Sequence, residues 1–460
     1  MEKMVDGLPS DMVKFCNYQI KNRTEGGWTM KRIVWCAAVM MLLVCVGAWA
    51  LAEEEVYRDG GYEYVLLEDG SAKITGYDKD SDLPKALSEL EIPDELGGHP
   101  VTAVAGFAFQ QFQKLTSVTI PDSVTEIEGN PFPGSYSLQT IEVSPDHPTL
   151  ALIDGVLFDK TEKRLLCYPA ALEAASYQIP QGITAIADGA FASCEKLERV
   201  SIPDGVTAIG DFAFAYCSSL STVSAPVTVT SIGDYAFTWC VSLRQASVPM
   251  GMTAISEGMF SGCESLENVM LPDSVTSIGE SAFSYCTSLV AVLLPDGVTQ
   301  IGESAFSECY NMVNVKIPQG VTSIAEGTFY ACMELKHLSL PEGLTSIGDS
   351  AFEDCRSLEF VTLPDTIVSI GSKAFYQCES LSDIALPEGL TSIGDDAFRY
   401  CESLTEMTIP GSVSSIGELA FAHGSEELVL TVERDSYASD YARDNGIDYA
   451  YEDADDWLFE

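Results

Sequence analysis

A cysteine falls every 23 residues, ten times in succession: Cys194, Cys217, Cys240, Cys263, Cys286, Cys309, Cys332, Cys355, Cys378 and Cys401. A phenylalanine keeps the same period from Phe191 to Phe421, and a proline from Pro180 to Pro410. A strict period of this length marks a solenoid, in which each unit packs only on its neighbours. The 460 residues would otherwise suggest about three domains, but a repeat array grows by lengthening one core.

One unit, Pro341 to Leu363, reads PEGLTSIGDSAFEDCRSLEFVTL. The end of the unit alternates, so Val361 and Leu363 should face the core and Phe360 and Thr362 the solvent, as in a half-buried strand. Pro364 stops that strand, because it has no N–H for a ladder. Ile367 to Ile370 reads as a second short strand, broken by Gly371. The position after it is acidic in most units: Asp211, Asp234, Glu257, Glu280, Glu303, Glu326, Asp349, Asp395 and Glu418. Placed just before an Ala-Phe-x-x-Cys stretch expected to form a short helical turn, these carboxylates should cap free N–H groups. A row of calcium ligands fits less well, since calcium-binding solenoids use Gly-rich, Asp-spaced loops.

The cysteines could form a disulfide framework or a ladder of buried thiols. Each lies three residues after Phe and three before Leu, on a buried face. Equivalent Cβ atoms in stacked strands sit about 4.8 Å apart and point the same way, whereas a disulfide needs about 3.8 Å. The thiol ladder is the reading that fits, and no histidine accompanies the cysteines as a metal site would want.

The ends depart from the period. Met30-Lys31-Arg32, the apolar run Ile33 to Ala48 and the Ala50-Leu51-Ala52 site make a secretory signal peptide; an uncleaved anchor is the alternative. Asp69-Gly70 lies in the turn of a capping hairpin. Between Pro121 and Pro180 an extra segment around Ile153-Asp154-Gly155-Val156 and Leu165-Leu166-Cys167 reads as an inserted hairpin. Asp435-Ser436 can cap a helix that Gly446 stops. The expected organisation is an upstream extension (1–29), a signal peptide (30–52), an N-terminal capping hairpin (53–92), divergent repeats with the inserted hairpin (93–179), regular repeats (180–432), and a helical cap with an acidic tail (433–460).

These residues carry a resemblance. Units such as LTSIGDSAFEDCRSLEFVTLP, the DGVLFDKTEKRLLCYP insertion, the YVLLEDGSAKITGY segment and the SYASDYARDNG exit resemble the BspA-like class of leucine-rich repeats over about residues 56–450. The resemblance implies a right-handed, strand-rich leucine-rich repeat solenoid of the α/β class, with one short parallel strand, a second short strand and a helical turn per repeat. It also implies an exported or surface protein, of a kind associated with adhesion, host matrix proteins and coaggregation. It does not transmit a ligand, because a repeat fold carries function in its variable positions.

The formal charge of −45 argues against nucleic acid and against anionic membrane surfaces. The four histidines, His99, His147, His337 and His423, complete no known motif, and there is no nucleophile elbow, phosphate loop or zinc motif. No enzyme, cofactor or metal is expected. A binding site should show where the strand face varies. Most outward positions there are small or polar, but Met270, Ala291 and Leu293 are not, with Asn268, Asn314, Lys316, His337 and Phe360 beside them. Such a group is either an interaction patch or ordinary surface scatter. The expected protein is a secreted or cell-surface, adhesin-like monomer that binds a protein or glycoprotein, of host matrix or of another cell surface, without inserting into the membrane once the signal is cleaved. The alternative is a structural spacer of the cell envelope with no ligand of its own.

Overall fold

The computed structural model describes residues 55–78 and 87–452. The expected extension and signal peptide, and the tail from residue 453 onward, lie outside these residues. The chain divides into two units at Tyr57–Arg58, and the described residues of the second run from Arg58 to Glu452. The second unit is a solenoid.

Each regular turn has three sides. The first is a three-residue strand such as Phe360–Thr362, with Val361 buried between exposed neighbours. The second is a two-residue strand such as Ser369–Ile370, with the isoleucine buried. Both pair in parallel with the equivalent strand one period on, as in Phe360↔Asp383 and Ser369↔Ser392. The inward residues Leu358, Val361 and Leu363 join one continuous core that runs from Val156 to Ala442.

The third side carries Ala-Phe-x-x-Cys, and it is not the helical turn that the sequence suggests. Two residues in every regular turn sit in the left-handed region, for example Ser304 (φ 54°) and Glu308 (φ 60°). A right-handed helix cannot run through such positions. The amides reach the next turn instead: Ser304 donates to Glu326 O (2.9 Å), Phe306 to Thr328 O (2.9 Å) and Glu308 to Tyr330 O (2.7 Å). This third hydrogen-bond column offsets the cost of left-handed backbone, about 1–2 kcal/mol for each non-glycine residue.

Inside that side the period becomes physical. The phenylalanine rings from Phe191 to Phe421 stack at centroid spacings of 4.8–5.7 Å, with planes within 16° of parallel. Beside them the eleven described cysteines are free and buried. Each thiol from Cys217 to Cys401 donates to the carbonyl of the phenylalanine one turn back, at 3.1–3.3 Å. Burial pushes the thiols from Cys240 to Cys401 up, to about 12 for Cys401, so they hold their protons and act as weak donors in a dry core.

The acidic column caps amides, but those of the following turn. The Asp188 carboxylate accepts from Asp211 N, Asp211 from Asp234 N, Asp349 from Ser372 N and Asp395 from Glu418 N, all at 2.8–2.9 Å. Where a glycine precedes the acid, the turns approach closely. A Cβ on Gly302 would lie 2.6 Å from Glu280 N and 2.7 Å from Gly279 C.

Departures from the period are absorbed without a break in the core. The hairpin Tyr62–Leu66 with Ala72–Tyr77 starts the array by pairing Ala72–Ile74 in parallel with Val101–Val104. The insertion is three antiparallel strands, Leu150–Ile153, Val156–Asp159 and Arg164–Cys167. Its last strand takes the place of a two-residue strand, with Leu165 opposite Ile186. Tyr168 stacks on Phe191 at 5.3 Å, and Asn130 N donates across the insertion to Asp188 O at 2.9 Å. The exit is the helix Tyr437–Asn445, capped by Ser436 and stopped by Gly446 at φ 68°. Its Ala438 and Ala442 close the core.

Candidate binding face

The three-residue strands set out one outward-facing column on each side of the buried middle residue. The pairing register decides which predicted residues meet. Asn268 stands opposite Gln245, and Met270 opposite Ser247. Ala291 bridges to Asn314, Asn314 pairs with His337, and Lys316 with Ser339. Phe360 belongs to a separate two-stranded piece, opposite Asp383. The register thus joins Ala291, Asn314 and His337 directly. Asn268 and Met270 close the preceding sheet, and Leu293 follows Ala291 in the bridged segment.

Ala291 is half-buried, and the other seven predicted residues are exposed. Three are large and apolar: Leu293 is 84% exposed, Met270 66% and Phe360 53%. The strands around them are short. Sheets of five, two and two strands follow one another along this face from Ser176 to Ala385, with the isolated Ala291–Asn314 bridge between the first two.

Two further residues extend the patch and were missed in the sequence. Val227 is 75% exposed and Met250 73%. They stand after the strand proline, one period apart, where Asp204, Asp273, Asp296, Glu342, Asp365 and Glu388 occur in other turns. The missed signal was the loss of the acid from that column in two consecutive turns. Val227, Met250, Met270 and Leu293 therefore mark four successive rungs of the strand-lined face with exposed apolar side chains, and Val290, 49% exposed, adds to the last.

The turn-lined side holds one more unforeseen cluster. Trp239 occupies the space of a side chain at Gly262, where a Cβ would lie 2.7–3.1 Å from its indole carbons, and its ring tilts towards Tyr285 at 6.0 Å. Glu308 is buried, and the Tyr310 hydroxyl donates to its carboxylate at 2.6 Å. Burial pushes the Glu308 carboxyl up to about 7, against the opposing pull of hydrogen bonds from Tyr310 and Tyr285.

The histidines are not poised for chemistry. His337 is exposed on its strand. His147 is buried, and its Nδ1 accepts from Leu150 N at 3.0 Å, so it supports the insertion. Among the described residues no group of three or more His, Cys, Asp or Glu could hold a metal ion. None of the described helices is long and apolar enough to cross a membrane. A cavity of about 20 Å³ beside Val223, Phe237 and Ala246 has room for about one water.

No curated protein matches the chain. Among solved structures it is similar to a leucine-rich repeat protein from Bacteroides ovatus, at 25% identity and a TM-score of 0.51, over 88% of this chain and all of that one. It is also similar to a leucine rich cell surface protein from Faecalibacterium prausnitzii, at 27% identity and a TM-score of 0.44, over 87% of this chain and 96% of that one. The model of the BspA type leucine rich repeat region matches residues 85–163, 167–290, 253–382 and 299–428. That coverage, on a solenoid whose phenylalanines and thiols repeat with every turn, makes the chain a member of the BspA-type leucine-rich repeat family.

Proposed function

We propose that the chain is an exported or surface-held, adhesin-like binding protein that takes a protein or glycoprotein on its strand-lined face. One observation carries this reading. At outward strand positions that are otherwise small or polar, Met270, Leu293 and Phe360 stand exposed among Asn268, Asn314, Lys316 and His337. Met270 and Leu293 are one period apart and Phe360 lies three turns farther on, and exposed apolar side chains set among polar neighbours are the composition of an interface core and rim. Membership of a family whose fold is typical of binding and scaffold proteins supports binding over catalysis. Export rests on the segment from Met30 to Ala52.

The test is a double substitution, Leu293→Glu with Phe360→Ala. Partner capture from host matrix extract should be lost while the thermal midpoint stays within about 2 °C, since both side chains already face solvent. Unaltered capture would sink the reading. Enrichment of the producing cell's own envelope proteins alone would favour a spacer.

A further inference from the structure

The exposed stripe and the charge around it together define a partner chemistry; this step rests on the strand-face reading and deepens it. Val227, Met250, Met270 and Leu293 stand at four consecutive rungs of the strand-lined face, so the stripe advances about 4.8 Å per side chain along the solenoid. It shifts from the loop column to the strand column between Met250 and Met270, and so crosses the face obliquely. An α-helix presents one apolar contact per 5.4 Å turn along its own stripe. The two repeats are close enough to register over four contacts.

Charge sets the rest of the partner. Between Arg244 and Lys316 the chain has eight carboxylates and no Lys, Arg or His. Glu267, Asp273 and Asp296 are exposed and flank Asn268, Met270 and Leu293 in sequence. No described residue forms an ion pair with any of the three. With no base in the same stretch to offset them, the exposed Glu267, Asp273 and Asp296 attract a cationic partner and repel an anionic one.

We propose that the stripe Val227–Met250–Met270–Leu293 docks a basic amphipathic helix of a protein partner, apolar face down, with its Lys and Arg side chains reaching Glu267, Asp273 and Asp296. The helix lies obliquely to the solenoid axis, as the stripe does. Apolar contact supplies affinity, and the carboxylates select the sign of charge and speed encounter.

The experiment uses the full chain and three synthetic peptides about 18 residues long, about 27 Å as helices. The first has leucines at i, i+3/i+4 and i+7 with lysines elsewhere. The second keeps the leucines and replaces lysine by glutamate. The third has the composition of the first in shuffled order. The first peptide should bind at least about tenfold more tightly than either of the others, and weaken with added salt. Met250→Ser with Met270→Ser should lower its affinity about tenfold at an unchanged thermal midpoint, and Asp273→Lys with Asp296→Lys should reverse the preference between the first two.

Equal binding of the first and shuffled peptides reduces the effect to charge alone and overturns the proposal. So does equal binding of the anionic peptide, or indifference to the methionine substitutions. If the basic peptide fails while Leu293→Glu with Phe360→Ala still abolishes partner capture, the strand face remains the binding surface and the partner chemistry is wrong. If both fail, the face itself is wrong.

Discussion

The two long sides of each turn solve opposite problems. On the turn-lined side the same phenylalanine, thiol and amide bonds recur with little variation, and the ring planes stay within 16° of parallel. On the strand-lined side the ladder falls into short pieces, and the outward residues change from turn to turn. An array needs only one invariant side to hold its register. The other side is then free to vary, because its side chains carry little of the packing.

Substitutions can be ranked by how hard they strike the invariant side. Phe306→Ala in mid-stack leaves a hole between Phe283 and Phe329 and should cost about 3–5 kcal/mol. Since each turn is held by its neighbours, urea unfolding should split into two transitions; a single transition shifted by less than about 1 kcal/mol would place the register elsewhere. Glu308 gives a pH-dependent effect of similar order. Its folded-state carboxyl value lies above the ordinary 4.5 and near 7, so the folded chain binds the proton more tightly than the unfolded one. This contribution is complete below about pH 4.5, falls as pH rises, and is lost above about 7, for a change of about 3 kcal/mol. Unfolding free energies of Glu308→Gln and the parent, compared at pH 5 and pH 8, should diverge in that sense, and parallel profiles would count against a buried acid.

Cys309→Ala removes one S–H···O bond to Phe283 and a small volume, so a loss of about 1–2 kcal/mol in the same urea experiment is expected. A neutral result would reduce the thiols to filler. Leu293→Glu belongs to the other side and should change stability by no more than about 0.5 kcal/mol. A larger loss would erase the distinction between the two sides.

Much of the invariant side could be read from residue types alone. Phe, Cys and Leu at fixed offsets imply a shared core, and Ser436 and Gly446 bracket the helix that the structure places at Tyr437–Asn445. The Ala-Phe-x-x-Cys stretch was misread as helical because its left-handed positions are filled by Ser, Tyr, Lys and Glu, which give no sign of that backbone. Gly189, Gly258 and Gly327, all at positive φ, were the available hint. Glu308 was illegible because its burial depends on Tyr285, a full turn back, as well as on Tyr310. Val227 and Met250 are legible as gaps in an acidic column, but that column lies just past the strand proline and outside the outward strand positions where variation marks a binding face.

The bonds between turns have a further consequence. The amide ladder from Phe306 to Thr328 spans 22 residues, the aspartate caps span 23 and the thiol bonds span 26. All of them reach one neighbouring turn and none reaches farther. Gain or loss of one whole unit inside the regular array therefore leaves every remaining bond with an equivalent partner. Length is a nearly neutral trait in this architecture, open to adjustment by duplication or deletion, and the reach of the strand-lined face can be reset in steps of about 4.8 Å without a new solution to folding.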